Sequence, residues 1–345
     1  MGTPNAAPHS EPAPDPTPAP PTVPIPDTAA GREGLTALLA HPERAVVALD
    51  FDGTLADIVP DPAKARAHPG APQALARLAP HLRAVAVITG RPAAVAVRLG
   101  GFDGLPGLTH LAVLGHYGAE RWDAATGALH APAPHPGIAA IQAELPGVLD
   151  RSGVWHGTWV ETAIERKGGR AIAVHTRRAA DPQRAFEQLR QPLTELAERH
   201  GLIVEPGRLV LELRPPGMDK GVALAEWVEE TGAAAVLYAG DDLGDLAAFG
   251  AVEKLRSDGT GGVLVCSGSS EVTELADRAD LVVDGPKGVV ALLNALADRI
   301  ENPPEPPDRP MGTAAAEAPE GPEGQGGAGA GGPRSPSGPD PSEAP

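Results

Sequence analysis

The chain has 345 residues, a formal net charge of −17 at pH 7 and a single cysteine, Cys266. Such an acid excess argues against general binding to nucleic acid or an acidic membrane surface, and one cysteine excludes an intrachain disulfide and fits a reducing cytoplasm. No apolar run approaches the roughly 20 residues that cross a bilayer, so the expected location is cytoplasmic.

Residues 1–31 and 301–345 are dominated by Pro, Ala, Gly, Ser and Glu, and these ends hold more than half of the 40 prolines. Segments so poor in large apolar side chains do not offset their conformational entropy, and both are expected to be disordered tails. The N-terminus has no basic region, apolar stretch or small-residue cleavage pattern, so no targeting signal is read there. Acidic, Pro-rich tails suit tethering to a partner.

From residue 32 onward, strand-like and helix-like segments alternate. The apolar Ala45–Leu49 is followed by a helical stretch near Ala71–Leu82, then by the strand-like 84–88. A helix at Pro92–Leu99 precedes a strand at Leu111–Leu114. The order resumes with a helix at Asp219–Glu230, strands at 233–238, Val263–Val265 and Leu281–Val283, and a closing helix at Gly288–Ile300. Strands alternating with helices predict βαβ units and a parallel sheet. The middle reads differently. Strands at Trp159–Ile164, Ala171–Thr176, Leu202–Glu205 and Leu209–Leu213, with helices at Ile138–Leu149 and Pro182–His200, suit a small α+β unit. The expectation is an α/β core of residues 32–121 and 209–300, interrupted by an inserted cap at 122–208. A cap over the strand ends would exclude water and recognise substrate, and Trp155, Trp159 and Lys167 suit that role.

Four clusters fall at strand ends. The first is Asp50-Phe51-Asp52-Gly53-Thr54. Charge at the carboxyl edge of a buried strand sits where open α/β sheets bind ligands. Asp50 is placed to attack a phosphorus atom, and Asp52 to protonate the leaving oxygen and later activate water. Thr54 offers a hydroxyl and an amide to anions; a helix-capping Asp is the plain alternative. The second, Thr89-Gly90-Arg91, offers a hydroxyl and free amides to a phosphate oxygen at a helix start, although a simple Thr cap would read the same. The third, Lys220 in Asp219-Lys220-Gly221, adds one cation. The fourth, Gly240-Asp241-Asp242-Leu243-Gly244-Asp245, brings carboxylates at Asp241 and Asp245 toward Asp50, the hard oxygen ligands Mg²⁺ prefers. With no His or Cys cluster, zinc is disfavoured. A nucleophile, an acid and positive charge around the equatorial oxygens are what phosphoryl transfer needs.

In this order the four clusters resemble the motifs of haloacid-dehalogenase-like phosphatases, and more narrowly those of the trehalose-6-phosphate phosphatase family. The resemblance spans roughly residues 44–295. It extends to Ile58-Val59-Pro60-Asp61-Pro62, Gly115-His116-Tyr117-Gly118-Ala119-Glu120, Glu165-Arg166-Lys167-Gly168, His175-Thr176-Arg177 and Glu212-Leu213-Arg214-Pro215. It implies a Rossmann-like parallel sheet with a cap, and hydrolysis of trehalose 6-phosphate as the last step of trehalose synthesis. It implies Asp50 as nucleophile and Asp52 as acid and base, aided by Thr89 and Lys220. Mg²⁺ would be held by Asp50, the Asp52 backbone carbonyl and Asp241, with Asp245 in support. Glu165, Lys167, Arg177 and Glu212 would grasp sugar hydroxyls; Thr54, Arg91 and His116 are counted with the substrate-binding residues. A trehalose-6-phosphate synthase is a conceivable partner. One departure stands out. The family's last motif runs Gly-Asp-Asp-x-Thr-Asp-Glu, whereas here the Thr is Gly244 and the Glu is Leu246, which removes a group that would orient the metal ligands. Two alternatives are a phosphatase for another glycosyl phosphate, such as glucosylglycerol phosphate or sucrose phosphate, and a non-catalytic sugar-phosphate sensor.

Overall fold

Uninterrupted apolar strands are stable only with both faces covered, and this requirement organises the molecule. The computed structural model describes residues 22–154, 163–268 and 273–304. Its strands, in chain order, are β1 (Ala45–Leu49), β2 (Ala84–Ile88), β3 (Leu111–Gly115), β4 (Glu120–Asp123), β5 (Leu129–His130), β6 (Ile164–Lys167), β7 (Ala171–His175), β8 (Ile203–Gly207), β9 (Val210–Arg214), β10 (Ala235–Gly240), β11 (Gly261–Ser267) and β12 (Leu281–Val283). Eight form one sheet in the order β12-β11-β10-β1-β2-β3-β4-β5. Its pairings are parallel from β12 through β3, and β4 and β5 close the edge antiparallel.

The strand order places the site. From β1 the chain winds outward through β2 and β3, and later through β10, β11 and β12 on the other side. The winding therefore reverses between β1 and β10, and the crevice outside the carboxyl ends of such strands is where α/β sheets bind ligands. One face of the sheet, with Val47, Leu49, Val85 and Leu237, packs under Leu75 and Leu78 of the Ala71–Leu78 helix and Leu293 and Leu296 of the Gly285–Glu301 helix. The opposite face, with Val46, Ala48, Val236 and Tyr238, is covered by Leu224 and Trp227 of the Lys220–Thr231 helix and Phe249 of the Leu246–Ser257 helix.

The remaining strands form an antiparallel sheet in the order β6-β7-β9-β8. Here alternation is strict. Ile164, Ile172, Val174, Leu211 and Leu213 pack with Ile141 and Leu145 of the Pro136–Arg151 helix and Leu189 and Leu193 of the Pro182–Arg199 helix. Their neighbours in sequence, Glu165, Lys167, Ala171, Ala173, Glu212 and Arg214, share the other face, with Glu165 and Glu212 both in register with Ala173. Because the period is two, one hydrophobic layer obliges a polar one on the reverse. Small alanines on the middle strand leave room above that polar face.

Several expectations shift. Val210–Arg214, expected in the core segment 209–300, pairs within the smaller sheet, whereas Glu120–Asp123 and Leu129–His130, expected around the start of the cap at 122–208, are edge strands of the larger one. Glu212 and Arg214 alternate with apolar residues as the other small-sheet strands do, whereas β4 and β5 are too short to show a period. The first described strand of the smaller sheet is Ile164–Lys167; residues 155–162, with Trp155, Trp159 and most of the strand expected at Trp159–Ile164, lie outside the described residues. Residues 22–31, expected in the disordered tail, are held in place. Thr28 caps the Ala29–Ala40 helix by accepting from Gly31 N, the Asp27 amide donates to Asp280 O at 2.8 Å, and Val23 packs on the core. Proline content hid a capping Thr and a short apolar anchor. The tail segments 1–21 and 305–345 lie outside the described residues. Among the described residues no helix is long and apolar enough to cross a membrane.

Candidate active site

The β1 strand delivers Asp50 to the crevice, buried at 4% exposure, with its amide donating to Ala239 O of β10 at 2.9 Å. The chain then turns at Gly53, whose φ is +76°. A Cβ there would sit 1.9 Å from Asp241 Oδ2, so only glycine lets the two acidic loops approach. Ser267, at the end of β11, donates to Gly53 O at 2.7 Å and pins the turn. Thr54 is fully buried beneath it.

Oxygens of Asp50, Asp241 and Asp245 lie within 4.8 Å of one another. A single ammonium serves them: Lys220 Nζ is 2.8 Å from Asp50 Oδ1 and 2.8 Å from Asp245 Oδ1. Asp219 makes this possible by capping the helix that Lys220 begins, accepting from Val222 N at 2.9 Å. Asp245 is the best satisfied of the three carboxylates. Besides Lys220 it accepts from Tyr238 Oη at 2.5 Å and from the amides of Asp241 and Asp242 at 3.0 and 3.1 Å. Burial raises its pKa, but Lys220 and these bonds outweigh burial and hold it below the ordinary carboxylate value. Burial likewise pulls Lys220 down, yet Asp245 and Asp50 keep it charged well above the usual lysine value.

That leaves two carboxylates short of positive charge. Burial pushes Asp50 well above its ordinary range; Lys220 pulls it back, and Asp245 and Asp241 push it up again. Burial, reinforced by Asp242 and Asp245, pushes Asp241 to about 8, and its buried Oδ1 has no hydrogen-bond partner. An orphaned, buried carboxylate oxygen beside two others is a donor set suited to a hard divalent cation such as Mg²⁺. Asp52 is not part of this cluster by its side chain. Arg91 grips both of its oxygens, Nε and Nη2 each at 2.6 Å, so the structure places Arg91 on the second aspartate. Gly244 donates its amide to Asp242 Oδ1 at 2.8 Å, and Leu246 packs its half-buried side chain against the core.

Thr89 is buried at the end of β2. Its Oγ1 accepts from Arg91 N at 3.2 Å, the local turn expected of a Thr at this position. His116 is buried as well, with its Nε2 unpartnered and 3.8 Å from Glu120 Oε1; burial pulls its imidazole below the ordinary value. It therefore sits at the seam between the sheets, close to Gly168 in the β6–β7 turn. Glu120 spans that seam, accepting from Ala93 N at 2.9 Å and from Arg170 Nε at 2.8 Å.

On the polar face of the smaller sheet, Lys167 donates to Glu212 Oε2, and the other Glu212 oxygen is buried without a partner. Burial lowers the Lys167 pKa, but Glu212 outweighs it and the ammonium stays charged. Glu165 pairs with His175 Nε2 at 2.9 Å. That bond, with the Lys167 and Arg91 charges, holds its carboxyl below the ordinary value. Glu165 thus stands within electrostatic reach of Arg91, and the polar face looks onto the catalytic edge. Arg177 is exposed on the turn after β7.

Tyr238, Ser267 and Arg170 were not singled out from the sequence, and Glu120 entered only as the end of the segment Gly115–Glu120, without a role. Tyr238 had a signal, a lone phenol closing an apolar strand, since a buried phenol needs a partner. Ser267 had none.

A model described as trehalose-phosphatase matches residues 48–120 and 158–283. The chain belongs to the trehalose-phosphatase family. A trehalose-phosphate phosphatase of Mycobacterium avium (strain 104) is 34% identical over 290 residues, 80% of this chain and 68% of the relative. A probable trehalose-phosphate phosphatase of Sinorhizobium fredii is 32% identical over 232 residues, 66% of this chain and 82% of the relative. The solved C-terminal domain of C. albicans trehalose-6-phosphate phosphatase shares the fold, with a TM-score of 0.60 at 22% identity over 80% of this chain and 98% of that one. Membership makes this protein a phosphatase, and its fold is the haloacid-dehalogenase-like α/β sheet that the four motifs imply.

Proposed function

We propose that this member of the trehalose-phosphatase family hydrolyses trehalose 6-phosphate to trehalose and phosphate, depends on Mg²⁺, and works through an aspartyl-phosphate on Asp50. The observation that carries the chemistry is the buried trio of Asp50, Asp241 and Asp245 served by one ammonium. The names of the relatives support the sugar, as does the polar face with Lys167 and the unpartnered oxygen of Glu212. The inserted part, from about His130 to Arg214, is read as a cap over the catalytic edge.

Asp50, Asp241 and the Asp52 backbone carbonyl would hold Mg²⁺, with Asp245 fixing Lys220 beside them. When bound, the ion offsets the excess carboxylate charge and lets an anionic phosphate approach an anionic nucleophile. Lys220 and Thr89 bind the phosphate oxygens. An Asp50 oxygen forms a bond to phosphorus as the bond from phosphorus to the sugar oxygen breaks, and Asp52 donates a proton to that leaving oxygen. Asp52, now a carboxylate, takes a proton from water as the water oxygen attacks phosphorus. The bond to Asp50 breaks and phosphate leaves. In the structure Arg91 occupies both Asp52 oxygens; a phosphate that draws Arg91 away frees Asp52 to meet the leaving oxygen.

Glu165, Lys167 and Glu212 supply the sugar recognition. Polar sites of this kind discriminate because a substrate lacking the matching hydroxyl leaves buried groups unpaired. The test is phosphate release with Mg²⁺ across trehalose 6-phosphate, sucrose 6-phosphate, glucosylglycerol phosphate and glucose 6-phosphate. A marked preference for trehalose 6-phosphate is expected; equal rates on all four would return the claim to phosphatase alone.

A further inference from the structure

Two bulky residues in succession hold left-handed backbone after β3: His116 has φ +48° and Tyr117 has φ +58°. Side chains rarely tolerate that region, and such strain collects where a side chain must be aimed at a ligand. The pair is stitched to the Thr89-Gly90-Arg91 loop. The His116 amide donates to Arg91 O at 2.9 Å and the Tyr117 amide to Thr89 O at 3.0 Å.

The strained backbone puts the Tyr117 ring between the two halves of the site. On one side it carries the guanidinium of Arg214, from β9, 4.9 Å from its centroid. At its tip the hydroxyl lies against Gly90, where a Cβ would come within 2.6 Å of it. Glu212, Lys167, Lys220 and Arg214 are the charges that surround the phenol, and burial first, then Glu212, raises its pKa so that it remains an O–H donor. Among the described residues nothing pairs with that hydroxyl, although the backbone on both sides of it is bonded. It is a donor held in place with its partner still to come.

We propose that Tyr117 is a specificity residue whose hydroxyl bonds the sugar ring next to the phosphoester, between the phosphate held at Thr89 and Lys220 and the distal hydroxyls held at Lys167 and Glu212. The inference rests on the sugar-phosphate reading above and adds to it a contact for the ring that carries the phosphate.

Tyr117→Phe tests it, because it removes the hydroxyl and keeps the ring, the Arg214 stack and the backbone. The readout is the ratio of kcat/KM for trehalose 6-phosphate to kcat/KM for p-nitrophenyl phosphate, which carries no sugar. One neutral hydrogen bond predicts a fall of about 3- to 10-fold in that ratio, carried by KM on the sugar substrate. An unchanged ratio in Tyr117→Phe, with a wild-type preference for trehalose 6-phosphate, overturns this inference alone. A wild-type ratio near one overturns the sugar-phosphate reading, and this inference with it. Tyr117→Gly supplies the second arm, since glycine relieves the left-handed backbone. A variant that melts no lower but loses the ratio supports strain held for binding. One that melts lower with the ratio intact marks a structural tyrosine and overturns the role.

Discussion

The carboxyl edge of the large sheet and the polar face of the small sheet both collect charged side chains, but they balance them differently. At the large sheet, three buried carboxylates cluster beside Lys220, which pairs with Asp50 and Asp245, and the deficit is left on Asp50 and Asp241. On the small sheet, Glu212 and Glu165 each have a side-chain partner of their own, the Lys167 ammonium and the His175 ring. An unbalanced buried cluster needs a counter-ion to work, whereas a balanced one is ready to exchange a partner for a neutral sugar hydroxyl. The first arrangement suits chemistry on a phosphate; the second suits recognition.

The largest effect expected from breaking this contrast is at the nucleophile. Asp50→Asn should lower kcat by about 10⁴-fold or more, with folding retained because Lys220 keeps Asp245; circular dichroism and phosphate release measure the two. Appreciable turnover would remove Asp50 from that role. Chelation comes next. EDTA should stop phosphate release and added Mg²⁺ should restore it, and full activity in EDTA would mean the acidic trio needs no cation. On the recognition side, Lys167→Ala removes a charged contact and leaves Glu212 buried alone. It should lower kcat/KM for trehalose 6-phosphate by about 10- to 100-fold, more than for p-nitrophenyl phosphate.

The smallest effect concerns stability. Asp241 ordinarily titrates near about 4 but is pushed to about 8 in the fold. Between those values the folded chain binds a proton that the unfolded chain does not, so stability falls as pH rises through this window. Asp245, shifted down, acts only below it. His116, pulled down by burial, opposes this only below its ordinary value of about 6.5, so in EDTA the melting temperature should decline from about pH 6.5 to about pH 8, and Mg²⁺ should flatten the decline. A melting temperature in EDTA that holds level or rises would contradict a starved Asp241.

The two regions also differ in how far the sequence disclosed them. Asp50, Thr89, Lys220 and Asp241 were legible because each follows a buried strand or opens a helix, and a parallel sheet puts all such ends on one edge. The switch in strand order between β1 and β10 then brings Asp50 and Asp241 together. The small sheet was legible as strands but not in its bounds. Residues 209–214 look like a core strand until Glu212 and Arg214 are seen to alternate toward the polar face. The grip of Arg91 on Asp52 had no sequence signal, since residues 39 positions apart meet only through the fold. The buried placement of His116 was equally hidden, because its left-handed backbone depends on bonds to the loop at Thr89–Arg91. The docked segment 22–28 was masked by its prolines.

The division of labour is tested most directly by one paired measurement, the kcat/KM ratio of trehalose 6-phosphate to p-nitrophenyl phosphate in Thr89→Ala and in Lys167→Ala. Thr89 faces the phosphate common to both substrates, so Thr89→Ala should lower both and keep the ratio of the wild type. Lys167→Ala should collapse it. The same ratio in both variants would contradict a large sheet that handles phosphate and a small sheet that reads the sugar.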